Sequence, residues 1–383
     1  MKIRSIIFSF LLSVLTITNA KSQHYKLLSH AGRSVFADAK MHVGRPVIYS
    51  DSLYRSLLNT YVAIDYRFGI NSFCRMPQDS VLKHPKYGIG LTHYWLHSDT
   101  LGNPWGVYGF FAAPFFVNKP RFQLGFELAS GFSFNFNKFD PLTNPKNDII
   151  GASLNVYFNL SLWSALKLGE RLDLFSSVDF THFSNGTTKL PNKGLNLYGG
   201  NLGLRYHFTF EKDKEAFARK QKGDCRQSFK FKPHNEIRIW YGLSGKTVYS
   251  PDYKAPVYLC STLSSDFVRR YGRVGAFEAG LDLFFDYSLV TDFPGESGIP
   301  YSRFLFLGMH AGHEFNVGNS SLAVQTGFYL LKGMHAKGNF FIRAGLKYEI
   351  SRNVFINLSL KTLNGLKADY IELGPGYKFN ITK

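Results

Sequence analysis

The sequence predicts an all-β protein, an antiparallel transmembrane barrel of about 16 strands. Three observations carry this. Strand-length runs of alternating polarity recur from residue 33 to the end, broken by Gly, Pro, Asn, Asp and Ser clusters. Aromatics make up 16% of the chain and glycines number 35, against 19% charged residues, a mix that suits strands and turns. The connections also alternate in length, mostly short on one side and long on the other, the habit of bacterial outer-membrane barrels. Lipid cannot satisfy backbone polar groups, so a sheet that crosses it must close on itself.

Residues 1–22 read as a secretory signal. Lys2 and Arg4 supply the positive start, Ile6 to Thr18 the apolar stretch, and "TNA" a small-residue cut site near Ala20, with a cut after Gln23 also fitting. No later run approaches the ~20 apolar residues of a spanning helix. Formal net charge is +18. An exported basic protein suits an anionic partner such as phosphorylated outer-leaflet lipid, and export argues against nucleic acid.

Strands are predicted at 33–42, 60–70, 86–96, 105–116, 120–134, 149–163, 171–184 and 196–210. The polar stretch "EKDKEAFARKQKGDCRQ" then forms a periplasmic linker within 211–235. Eight more strands follow, at 236–243, 256–265, 273–287, 303–315, 320–331, 338–350, 352–362 and 368–381. The first half is thus 23–210 and the second 236–383. "VGRPVIYS" at Val43–Ser50 echoes "SGKTVYS" at Ser244–Ser250, which suggests a duplicated eight-strand unit. Parity does not decide between one barrel and two tandem ones. The rarity of tandem membrane barrels favours one. Of three cysteines, Cys74 and Cys225 fall on the same predicted side and could pair; an odd count implies no disulfide framework.

The segment "DFTHFSNGTTKLPNKGLNLYGG", Asp179–Gly200, stands apart. Successive strand residues face opposite sides. On the strand ending here, Leu172, Leu174, Ser176, Val178 and Phe180 share one parity, and Arg171, Asp173, Phe175, Ser177, Asp179 and Thr181 the other. The apolar face meets lipid and the polar face lines the lumen. His182 and Ser184 continue the apolar, even face. On the next strand Asn196 and Tyr198 share that face, and pairing Ser184 with Asn196 sets His182 opposite Tyr198. Such a cluster is either an interface girdle, where Tyr and His are comfortable, or a nucleophile with its base. Alone, a His-x-Ser pair is a weak signal.

The order and spacing of two motifs sharpen it. "HFSNG" at His182–Gly186 precedes "PNKG" at Pro191–Gly194. In this the chain resembles the lipid A 3-O-deacylase family of outer-membrane barrel esterases, related in name to acyloxyacyl hydrolases. Members are commonly one eight-stranded barrel, so the resemblance covers 33–210. It implies Ser184 as nucleophile and His182 as general base. It also implies an oxyanion held by the backbone N–H groups of Gly186 and Thr187 and the Asn192 side chain, with Asn185 in support. The family's third member is a glutamate two residues after the loop glycine. Here that position is Asn196, an amide that orients the histidine without stabilising its positive form. Asp179 has lumen parity and is discounted.

The second half carries Thr362 and Asn364 where His182 and Ser184 would fall, so one active site per chain is expected. His93 and His97, four apart in "THYWLH", read as rim histidines. No phosphate-cradling loop or zinc pattern is present, and neither cofactor nor metal is expected. Lys189 and Lys193 are either solvated or meet lipid phosphates. The resulting expectation is an outer-membrane serine esterase that removes an ester-linked acyl chain from lipid A of lipopolysaccharide, surrounded by outer-membrane lipid. Its rivals are a porin or structural barrel, and an esterase acting on glycerophospholipid.

Overall fold

In the computed structural model, described for residues 34–47, 60–72, 79, 81–116, 121–208, 231–248, 256–333, 338–364 and 367–381, sixteen antiparallel strands form two closed eight-stranded barrels. The signal segment, the linker core 211–230, Cys74 and Cys225 lie outside the described residues. The strand number and its division into eight and eight follow the expectation. The closure is the two-barrel alternative, not the single barrel favoured from sequence.

The first barrel comprises β1 (Ser34–Pro46), β2 (Tyr61–Asn71), β3 (Lys86–Trp95), β4 (Trp105–Pro114), β5 (Phe122–Phe134), β6 (Asn155–Lys167), β7 (Leu172–Ser184) and β8 (Leu195–His207). β1 pairs with β2 on one edge and with β8 on the other, running from Phe36↔His207 to Pro46↔Leu197, and this seam closes the sheet. Inward residues form two layers. At mid-height, Asp38 accepts from Arg67 (Nε 3.0 Å, Nη2 2.7 Å) and from Arg205 (Nε 2.7 Å, Nη2 2.9 Å), while Arg67 Nη1 reaches Glu127 at 2.5 Å. Beside them Lys40 pairs with Asp65 at 3.0 Å, and His42 Nδ1 lies 3.0 Å from Asp179. Toward the loop-rich mouth, Tyr94, Phe136, Tyr157 and Phe183 close the bore. Phe183 sits edge-on to Tyr94, ring centroids 5.3 Å apart, and to Phe136 at the same distance. Such aromatic pairs contribute roughly 0.5–1.5 kcal/mol each beyond area burial. The outward face is apolar and exposed, with Phe68, Ile89, Val107, Phe132, Leu162 and Val178 among its residues.

The second barrel comprises β9 (His234–Lys246), β10 (Tyr258–Arg270), β11 (Gly275–Asp286), β12 (Leu305–Val317), β13 (Ser320–Lys332), β14 (Phe340–Glu349), β15 (Val354–Leu363) and β16 (Lys367–Ile381). β9 pairs with both β10 and β16. Two short 3₁₀ turns, Tyr287–Asp292 and Tyr301–Phe304, lie between β11 and β12. Its bore is likewise filled. Arg343 bonds Glu372 at 2.7 Å and Gln325 at 2.8 Å, Lys347 bridges Glu278 and Glu314 at 2.7 Å each, and Phe284, Phe306, Tyr329 and Phe341 cluster above them. Residues Gly186–Asn192 group with this second unit. Cys260 is buried, its thiol donating to Asp286 at 3.2 Å.

Candidate active site

β7 shows why its sequence alternates. Phe175, Ser177, Asp179, Thr181 and Phe183 are buried in the bore, whereas Val178 and Phe180 are exposed on the outside. His182 and Ser184 share the outward parity, as expected. The register differs from the expected one. His182 pairs directly with Asn196 and Phe180 with Tyr198, while Ser184 pairs with Val156 of β6. A shift of two residues preserves parity, so the face is right and the partner changes.

That shift brings His182 and Asn196 together. His182 Nδ1 lies 2.5 Å from Asn196 Oδ1, both half-buried or buried. An amide oxygen only accepts, so Nδ1 is the donor, and in the neutral ring the lone pair then falls on Nε2. Ser184 and Asn185 are buried at the end of the strand. Asp179 is engaged inside, by His42 at 3.0 Å and Asn201 at 3.3 Å, which agrees with its being discounted.

Gly186 and Thr187 follow with φ of +60° and +65°. Glycine adopts this left-handed conformation freely. A β-branched threonine there is an outlier of order 1–3 kcal/mol, of the kind that clusters at active sites. Gly186, Thr187 and Asn192 all fall in the segment that groups with the second unit, whereas His182, Ser184, Asn185 and Asn196 belong to the first.

Gly194 was not singled out for a role by sequence reasoning. Its φ is +75°, and a Cβ there would lie 3.0 Å from His182 Cε1 and 3.2 Å from the Phe183 carbonyl oxygen. The glycine of "PNKG" therefore does two things: it allows the turn and lets backbone approach the imidazole. Its place in the motif was the available signal. Lys193, expected to be solvated or on lipid phosphates, is exposed and pairs with Asp148. His93 stacks on Trp105 with centroids 4.1 Å apart, and His97 Nδ1 meets the Thr60 carbonyl at 2.8 Å, so the two histidines share no ligand site. Among the described residues, no group of His, Cys, Asp and Glu is arranged to hold a metal. In the second barrel, Thr362 Oγ1 donates to the Ile342 carbonyl at 3.1 Å and Asn364 Oδ1 accepts from the Asn339 N–H at 3.1 Å, both bonding backbone.

Residues 63–205 match the family "Lipid A 3-O-deacylase (PagL)", and residues 235–381 match "Acyloxyacyl hydrolase, C-terminal domain". The first barrel is thus of the lipid A 3-O-deacylase family, and the second matches the acyloxyacyl hydrolase C-terminal domain. Its enzyme class is accordingly that of a lipid A deacylase, a hydrolase of carboxylic esters. No curated protein matches the chain in sequence. Among solved structures, Neisserial surface protein A is 14% identical with a TM-score of 0.28, covering 46% of this deacylase and 97% of its own chain. A substituted porin from Rh. blastica is 11% identical with a TM-score of 0.20, covering 90% and 100%.

Proposed function

We propose that the protein is an outer-membrane serine esterase that hydrolyses an ester-linked acyl chain of lipid A, with Ser184 as nucleophile and His182 as general base. The observation that carries this is the 2.5 Å bond from His182 Nδ1 to Asn196 on the outward face. It fixes the tautomer that leaves Nε2 to accept a proton, on the strand and parity that also bear Ser184.

Ser184 Oγ attacks the ester carbonyl as its proton passes to His182 Nε2. The negative oxygen of the tetrahedral intermediate is held by the Gly186 and Thr187 N–H groups and the Asn192 side chain, with Asn185 in support. Donors of this kind supply about 3–4 kcal/mol apiece. The sugar oxygen leaves with the proton from His182. Water, deprotonated by the same imidazole, then attacks the acyl-serine, releases the fatty acid and restores the hydroxyl. Because the outward face is apolar, the acyl chain stays in lipid while its ester reaches the rim.

A porin needs an open bore. The ion pairs and aromatic layer that fill the first barrel disfavour that rival. The test is mass spectrometry of lipid A from cells with and without the protein. Loss of one ester-linked chain, abolished by His182→Ala and by Ser184→Ala, is expected. Unchanged lipid A with the barrel inserted overturns the reading, and altered glycerophospholipid instead reassigns the substrate.

A further inference from the structure

The base is held from a second direction. The loop 135–154 between β5 and β6 is organised around Asn147, whose side chain is completely buried and fully used. Its Nδ2 donates to the carbonyls of Asn137 at 2.6 Å and Thr100 at 3.3 Å, and its Oδ1 accepts from the N–H groups of Ile149 at 3.1 Å and Ile150 at 3.0 Å. Ile149 and Ile150 are thereby driven into the aromatic layer with Phe136, Phe183, Leu195 and Leu197. The Ile149 carbonyl then accepts from the Gly194 N–H at 3.2 Å, and the Asp148–Lys193 ion pair joins the same two loops next door. Gly194 is the residue at which a Cβ would lie only 3.0 Å from His182 Cε1.

We propose that Asn147 is a positioning residue for the reaction: through Ile149 and Gly194 it fixes a wall of backbone against the imidazole, holding the ring where Nδ1 meets Asn196. This rests on His182 being the base. A ring free to turn about its Cβ–Cγ axis spends less time with Nε2 toward the serine, and small misplacements of reacting groups cost on the order of 100-fold in rate. Loss of the wall therefore lowers kcat, with KM little changed.

The experiment uses the full chain in detergent micelles with lipid A. Heat-modifiable gel mobility reads folding, and the ¹³Cε1 signal of labelled His182 reads the ring. Asn147→Ala is expected to lower kcat on the order of 10- to 100-fold, leave KM within about twofold, and shift the His182 signal toward a mixture of tautomers. Asn147→Asp keeps the acceptor for Ile149 and Ile150 and should recover part of the rate. Should Asn147→Ala not fold, Gly194→Asn decides. Asparagine tolerates the left-handed backbone but places a Cβ against the ring, so a folded variant with kcat down at least about tenfold and a shifted His182 signal is expected. Wild-type kcat and an unchanged signal in folded Asn147→Ala or Gly194→Asn, with His182→Ala inactive, overturn the clamp alone. Wild-type activity in His182→Ala overturns the assignment of the base itself.

Discussion

His182 Nδ1 and Asn196 Oδ1 meet at 2.5 Å across directly paired residues of β7 and β8. A neutral amide orients the ring but adds no negative charge beside the imidazolium that the proposed attack forms. Asn196→Asp, equal in length, supplies that charge. It is expected to raise kcat about tenfold and to move the acid limb of the pH–rate profile upward, because a carboxylate favours the protonated ring. Asn196→Ala, lacking any orienter, should lower kcat on the order of 100-fold. Initial rates between pH 5 and 9 (a range of about four units around the histidine value) check both.

Asp38 carries the most demanding burial in the first barrel, since its carboxylate serves both Arg67 and Arg205. Removing it leaves two buried guanidinium groups, with Glu127 bonded to Arg67. Asp38→Ala is expected to destabilise the first barrel by about 3–5 kcal/mol, measured by urea unfolding in micelles.

Val178 is 62% exposed on the outward face, one turn of the strand pattern from Phe180. If that face meets hydrocarbon, Val178→Arg should cost about 2–4 kcal/mol in lipid vesicles, while Val178→Leu is neutral. Equal stabilities of the two variants in vesicles contradict a lipid contact there.

Asp140, in the loop 135–154, accepts from the Leu142 N–H at 2.9 Å and the Thr143 N–H at 2.8 Å. These bonds hold its carboxyl below the usual carboxylate value. A depressed carboxyl contributes stability above its unfolded value and loses it as pH falls through the folded one. The Leu142–Thr143 turn should therefore be insensitive to pH across the neutral range and loosen only in acid, below the ordinary carboxylate range. Amide exchange at those two residues, corrected for its intrinsic pH dependence, reads this directly.

Much of this architecture is legible in the residues. The run predicted at 171–184 is β7 at Leu172–Ser184, and that at 320–331 is β13 at Ser320–Lys332. Alternation of apolar and polar side chains placed the outward face correctly, because parity survives any even shift of register. The shift itself was not legible. The length of the 185–194 loop, not the side chains of the strands, sets His182 opposite Asn196. The start of β6 was predicted six residues early, at 149. Ile149 and Ile150 read as strand, but Asn147 turns them into the barrel mouth instead. Closure into eight and eight was also hidden. The seam between β1 and β8 consists of backbone hydrogen bonds, which carry no signature in residue type. Gly194 illustrates the last kind of gap, since a glycine needed for close approach looks the same as one needed only for a turn.

The packed interior of the first barrel has a consequence for the cell. On the proposed mechanism the chemistry takes place on the outside of the wall and needs no passage through it, so the bore is free to serve as a rigid post for the strands. A membrane crowded with such posts stays sealed to solutes, and the number of enzyme copies is not limited by leakage.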